Sequence, residues 1–454
     1  MAINYYSALT QIVLVGFVCF LCPGMFNAVN GLGGAGQLDT KATNNANTAL
    51  YSTFIVFGVA GGGIVNLFGV RWTIFVSGFT YALYSASYIF LNHHPRDPSF
   101  TIATGALLGA GAGVLWAAQG LIMTSYPREN ERGRFIAIFW TIFNLGGVVG
   151  GILPFAINFH STKDQLSDGV YIAFVVLECI GACLGLALAP PAKVKRLDGS
   201  PVVVAQGTSV RSEAIGILKL FLNPTMLALL PMCFTSNFFY SYQFNHINAA
   251  LFNIRTRGFN NIFYWGSQMA GSLAISFVLD TPRLKRRMRG MVALAITFVC
   301  FNAIWGGSLA LHNKYPEGIK AGSRMDFTDS KNAAGPIVLY IVCGLSDALF
   351  QSLAYWVIAS LTNDNQDLAR YVGFYKGIQS LGATVAWQLD IKASALRQLI
   401  SNWVLFGCAV VPMAMVIWRI KEHLETDDSQ VSDDVGTAGE LPEKDTLKDQ
   451  YIQA

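Results

Sequence analysis

Asp347 and Gln351 stand four residues apart in a stretch, Pro336 to Leu361, that is otherwise almost wholly apolar, so on a helix they share one face. Lys376 lies in the next apolar stretch, Tyr371 to Gln388. A charge at bilayer depth costs about 2.5 to 3.5 kcal/mol on insertion scales, so such a residue faces a cavity or a partner. The chemistry on offer is capture of a polar solute or cation on a path through a membrane. The alternative is that Lys376 extends to the nearer surface while Asp347 closes a local network. Counted by helical rise from the turn at Asn363 to Asp367, Asp347 lies about 10 Å deeper than Lys376, so direct pairing needs an extended lysine. Gln119, Asn144, Asn237, Tyr240 and Gln243 form a second group of polar residues inside apolar stretches. Such amides either line a path or bond neighbouring helices, for about 0.6 kcal/mol each. Glu178 and His246 are less informative, the second because it lies near the end of a stretch.

No P-loop, H-E-x-x-H or G-x-S-x-G occurs, and the six histidines give no metal spacing. Gly31-Leu32-Gly33-Gly34-Ala35-Gly36 satisfies G-x-G-x-x-G in form. It follows an apolar helix and enters a polar loop, whereas a dinucleotide site needs a βαβ unit. An enzyme, a cofactor and a metal site are therefore not expected. A net charge of +4 is too small to argue for nucleic acid. All eight cysteines fall in apolar stretches, and the Cys19-x-x-Cys22 pair reads as buried small residues. The start lacks a basic region, so the first stretch is expected to remain as an anchor.

About twelve apolar stretches of about 20 residues run from Ile12 to Ile417, the length at which a helix crosses about 30 Å of hydrocarbon. Backbone amides in lipid must bond within their own segment, so the stretches are helices. Only 13% of the residues are charged, against roughly 25% in soluble domains, which fits a chain packed in lipid. The glycine spacing Gly105, Gly109, Gly111, Gly113 suits close helix contacts. The longest polar break before the tail divides the chain into a first six-helix unit at 1–190, a linker at 191–223 and a second unit at 224–420. Within the linker, Ser212 to Leu222 reads as an amphipathic helix lying on the membrane surface. The acidic tail at 421–454 is expected to be disordered. Arg134 to Gly146 aligns without gaps to Arg370 to Gly382, with four identities, pairing the fifth stretch with the eleventh as a parallel duplication requires. Lys376 then occupies the place of Trp140.

Two parallel six-helix halves resemble the major facilitator superfamily, and the expected class is an all-α integral membrane fold of twelve transmembrane helices. The turn from Gly62 to Arg71 resembles that superfamily's GxxxDRxGRR loop at Gly62, Gly69 and Arg71, which would make it a gating loop. Asn66 stands where the pattern has Asp, which argues against the usual charge relay and, with so few buried acids, against proton coupling. Cys22 to Gln37, Leu115 to Gly120, Ser125 to Pro127, Phe139 to Gly146, Ser236 to Asn245 and Phe252 to Arg257 resemble fungal Unc-ninety-three-like proteins. That resemblance runs from about Cys22 to about Gln388. It implies a twelve-span facilitator fold in which the first, fourth, seventh and tenth spans surround the cavity. Family members are described as ion-channel regulators, trafficking partners of other membrane proteins, or transporters of unassigned substrate.

The function expected from these residues is movement of a small solute or ion by alternating access. The alternative is a non-transporting regulator or trafficking partner of another membrane protein. The lipid bilayer is a partner under both, and the membrane is the plasma membrane or an internal one. Counting Lys and Arg, the loops on the side of both termini hold 17 and the opposite loops 11, so the termini are expected to be cytoplasmic. Tags at Met1 and Ala454 should therefore resist extracellular protease in intact cells, and cleavage of either one would overturn the orientation.

Overall fold

The computed structural model describes residues 4–127, 132–160, 164–196, 198–202, 210–362 and 364–421. Arg128 and Lys163, which enter the charge count, part of the linker at 203–209 and the tail at 422–454 lie outside the described residues. The architecture is all-helical. The first group of helices is α1 (Ala8–Leu21), α2 (Pro23–Gly31), α3 (Lys41–His93), α4 (Ser99–Ser125), α5 (Arg132–Ile157) and α6 (Asp168–Leu184). The linker carries α7 (Val210–Lys219). The second group is α8 (Pro224–Thr235), α9 (Ile254–Leu279), α10 (Arg286–Lys314), α11 (Ser330–Ala359), α12 (Asn365–Lys392) and α13 (Ala395–Trp418).

Nine helical stretches among the described residues are long and apolar enough to cross a membrane, fewer than the twelve expected. Three local features account for the difference. Helix α3 is a single element of 53 residues, interrupted at Gly69, whose φ of 76° only glycine adopts cheaply. The stretch expected at Met226 to Phe239 ends as helix at Thr235 and resumes as a π-helical segment, Tyr242–Ala249. Helix α12 is too rich in Gln, Asp and Lys to meet the same standard of apolarity. Conversely α1 and α2, broken at Cys22 before Pro23, together make one candidate span, Ala8–Gly31.

Buried apolar side chains fall in two clusters. One runs from Ala8 to Val202 with Ile254, the other from Leu220 to Ile420. The glycine stripe of α4 is explained by contact: a Cβ at Gly105, Gly109 or Gly113 would strike the backbone of α3, and one at Gly111 would strike Thr80. Thr53 Oγ1 adds a 2.7 Å bond to Ala106 O across the same seam. The two aligned glycines have matching surroundings, since Gly146 abuts the carbonyl of Phe20 on α1 and Gly382 that of Phe234 on α8. At the end that holds the linker, Tyr6 and Ala8 bond to Lys195, and Arg196 reaches Ser125 O at 3.1 Å. Helix α7 overlaps the segment expected to be amphipathic, starting at Val210 and giving way to a 3-10 turn at Leu220–Leu222, and Asn223 caps α8 by accepting from Thr225 and Met226.

Backbone cannot yield as a side chain can, so Gly382→Ala should destabilise by about 1 to 3 kcal/mol. A fall of several degrees in thermal unfolding in detergent would register it. Gly407→Ala is the control, because nothing lies within 4 Å of a Cβ there. Equal behaviour of the two variants would refute the packing argument.

Candidate functional site

Helices α11 and α12 and the segment after α8 bring most of the singled-out polar residues together. Asp347, on α11, is 1% exposed. Its Oδ2 accepts from Tyr240 Oη at 2.8 Å and from Gln268 Nε2 at 2.6 Å. Its Oδ1 is buried with no hydrogen-bond partner among the described residues. One turn along α11, Gln351 donates to Ser236 O and Asn237 Oδ1, each at 2.8 Å. Gln351 Oε1 in turn accepts from Tyr375 Oη at 2.6 Å and from Gln379 Nε2 at 3.2 Å. Lys376 donates to Gln379 Oε1 at 2.8 Å and stands over the rings of Tyr355 and Tyr375, each 5.4 Å away. Beside it, a Cβ on Gly377 would have nothing within 4 Å.

Lys376 thus neither pairs with Asp347 nor runs to the surface. The depth expected for Asp347 is also corrected, because α11 ends at Ala359 and the residues linking it to α12 add no helical rise. By rise, Asp347 is about 18 Å from that end and Lys376 about 16 Å from the start of α12, so they stand at similar depth. Gln243 accepts from Tyr264 Oη at 2.8 Å, and its own Nε2 is buried without a partner among the described residues. Gln119, buried on α4, and Asn144, half-buried on α5, belong to the first group of helices and stand apart from this network. Gly62, Asn66, Gly69 and Arg71 are all exposed at the break in α3.

A second polar assembly lies at the opposite end, around Gly31 to Gly36. Gly33, Gly34, Ala35 and Gly36 all have positive φ, between 50° and 84°, so the turn directs its carbonyls outward in succession. Every one of them is met. Gly31 O accepts from Asn248 and from Tyr340, both at 2.8 Å. Arg257, fully buried, gives Nε to Leu32 O at 2.6 Å and Nη2 to Gly33 O. Thr43 bonds Gly34 O, Tyr171 bonds Ala35 O, and the amide of Leu166 bonds Gly36 O. Asn245 Oδ1 takes the Gly34 amide at 2.8 Å, while its Nδ2 reaches Asp390 at 2.7 Å. Asp390 also accepts from Asn44 of α3 at 2.6 Å, and His246 Nε2 stands 2.8 Å from its other oxygen. Arg255 extends the joint outward, with Nε 2.5 Å from Asp326 and Nη1 2.8 Å from Phe159 O. Burial alone would raise Asp326, yet hydrogen bonds from Arg255, Asn253 and Thr328 outweigh it and hold the carboxyl well below the usual range.

Sequence reading missed Gln268, Gln379 and Arg257. Gln379 could have been found as the polar residue one turn beyond Lys376. Arg257 falls among the loop charges by position, although a basic residue inside an otherwise specific motif on the less basic side is a signal.

Residues 34–403 match the family described as ion channel regulatory protein UNC-93. UNC93-like protein 1 of Arabidopsis thaliana is 47% identical over 429 residues, covering 94% of this chain and 93% of the relative. An UNC93-like protein of Schizosaccharomyces pombe is 43% identical over 422 residues, 92% of this chain and 84% of the relative; the plant relative shows that the resemblance is not confined to fungi. Among solved structures, a D-xylose–proton symporter superposes with a TM-score of 0.60 at 14% identity, over 92% of this chain and 98% of that one. That likeness speaks to the fold alone, a facilitator-type helical membrane fold. The chain belongs to the UNC-93 family.

Proposed function

We propose that this protein moves a small polar solute or ion by alternating access between two parallel six-helix halves, 1–190 and 224–420, joined by the linker 191–223. Twelve spans result if α3 is divided at Gly69, α8 is continued through the π-helical segment, and α12 is counted despite its polarity. The two clusters of buried apolar residues and the matched surroundings of Gly146 and Gly382 support that division.

One observation carries the reading: a buried carboxylate, Asp347, at mid-span, with one oxygen held by Tyr240 and Gln268 and the other unpartnered among the described residues. A buried acceptor without a partner is expensive, and a passing cation, proton or solute donor is what would satisfy it. On this reading Asn237, Tyr240, Gln243, Asp347, Gln351 and Lys376 form the polar wall of the path. Gln119 and Asn144 contribute from the facing half, and the Gly62 to Arg71 turn acts in gating. The polar assembly at Gly31 to Gly36 is the closed gate on the side away from the linker.

The family description favours a second reading, a regulatory partner of another membrane protein. Liposome flux and partner pull-down on the same variants separate the two. Asp347→Asn and Lys376→Met should each cut flux at least tenfold with localisation and partner capture retained. Unchanged flux in the combined Asp347→Asn, Gln351→Ala, Lys376→Met variant sinks the site. A regulator would instead keep its partner effect in that variant and carry no flux at all.

The gate is tested separately. Asn44 and Asn245 meet at 2.9 Å across the two halves. In the Asn44→Cys, Asn245→Cys variant, a short reducible bifunctional thiol reagent should abolish flux, and a reductant should restore it. Full flux in the bridged protein would show that this joint need not open.

A further inference from the structure

We propose that the linker helix α7 and the start of α12 form a site for the phosphate headgroup of an anionic phospholipid. A cavity of about 350 Å³ lies between them, lined by Arg211, Ser212, Ile215, Gly216 and Lys219 of α7 and by Arg370 of α12. Three cations and a hydroxyl around one concavity are the donor set that binds a phosphate monoester or diester. Arg370 is set in place on two sides. Its Nη1 is 3.5 Å from Asp367, one turn earlier, and its Nε passes so close to α7 that a Cβ on Gly216 would stand 2.6 Å away.

The flank of the cavity decides between a lipid and a soluble anion. Leu218 and Leu222 are 63% and 81% exposed, and Ile215 and Phe221 are also uncovered. The helical stretch Ala214–Leu222 is bent by 101° from Pro224–Thr235. If α8 runs across the bilayer, this stretch lies along its surface with the apolar side chains turned to acyl chains and the cations at headgroup level. A lipid satisfies both surfaces together, while a free phosphate leaves the apolar flank in water. The site would also report to both helix groups, since α7 packs against α3 as well as α12. The inference does not depend on whether the protein transports.

The test uses the full-length protein in neutral detergent, with thermal unfolding and native mass spectrometry as readouts. Dioleoyl phosphatidic acid should raise the unfolding temperature by several degrees and appear as a retained adduct. Dioleoyl phosphatidylcholine and inorganic phosphate at the same concentration should do neither. Arg211→Gln, Lys219→Gln and Arg370→Gln should each reduce the adduct about threefold or more, and Gly216→Val should do the same by displacing Arg370. Arg211 and Lys219 are exposed, so their variants serve even where Arg370→Gln or Gly216→Val folds poorly. Three outcomes would overturn the proposal: an equal adduct in wild type and in the Arg211→Gln, Lys219→Gln double variant, an equal effect of phosphatidylcholine, or saturation by inorganic phosphate alone.

Discussion

The seating of Arg257 in the turn from Gly31 to Gly36 is the constraint on which the arrangement of the two helix groups depends. Neither member is tenable alone. The turn holds four consecutive residues at positive φ, one of them Ala35, and without the arginine the carbonyls of Leu32 and Gly33 would lose their side-chain donor. The guanidinium is fully buried and would be an uncompensated charge. A hydrogen bond from a charged donor is worth about 1.5 to 3 kcal/mol, so the turn and the arginine hold each other in place. Because Arg257 lies in the first turn of α9, this contact also fixes how α9 approaches the first group. Close packing of Gly147 on Trp265 and of Gly258 on Phe155 then follows along the α5–α9 seam.

The aligned segments, Arg134 to Gly146 and Arg370 to Gly382, have like surroundings at one position and unlike ones at another. Gly146 and Gly382 meet the same kind of backbone surface, the carbonyl of a phenylalanine on the first helix of each group. Six residues earlier the two copies part. Trp140 stacks on Trp116 and meets Phe143 edge-on, within a patch of aromatic rings. Lys376, at the matching place, brings a cation among Tyr355, Tyr375 and Gln379. The polar chemistry at mid-span is thereby concentrated in the second group, and the first offers it an aromatic face and scattered amides.

How much of this could be read from the sequence follows from what apolar patterning reports. It reports the surroundings of a stretch, so the helices, the glycine seam of α4 and a helix in the linker were legible. It is silent on which polar group meets which. Asp347 and Gln351 were recognisable because they share a face, but Gln268 reaches Asp347 from another helix, which no spacing along the chain encodes. Lys376 was recognisable as a mid-span charge, whereas its acceptor Gln379 was hidden among ordinary amides. The Gly31 to Gly36 run was legible as a departure from helix and wrongly suggestive only in its likeness to a nucleotide motif. Its partner Arg257 is hidden in the sequence because a count of loop charges treats every arginine near a helix end alike.

The two kinds of contact in the molecule also bear on whether its helix groups can move. In lipid, helices gain little from burying apolar surface, so what joins them is close packing and hydrogen bonding. Within the first group the joint is glycine against backbone, as along α3 and α4, where a slide of even a fraction of a turn would collide. Between the groups the same close packing recurs along α5 and α9, where a Cβ on Gly151 or Gly258 would strike backbone, and hydrogen bonds are added beside it: Asn44 to Asp390, Asn245 to the Gly34 amide, Gln388 to Thr48 and Asn45. Asn44, Asn245 and Asp390 are themselves buried, so each bond that breaks leaves a polar group to be satisfied. Parting the two groups must therefore break the buried hydrogen bonds, the seat of Arg257 and the glycine packing of the α5–α9 seam together.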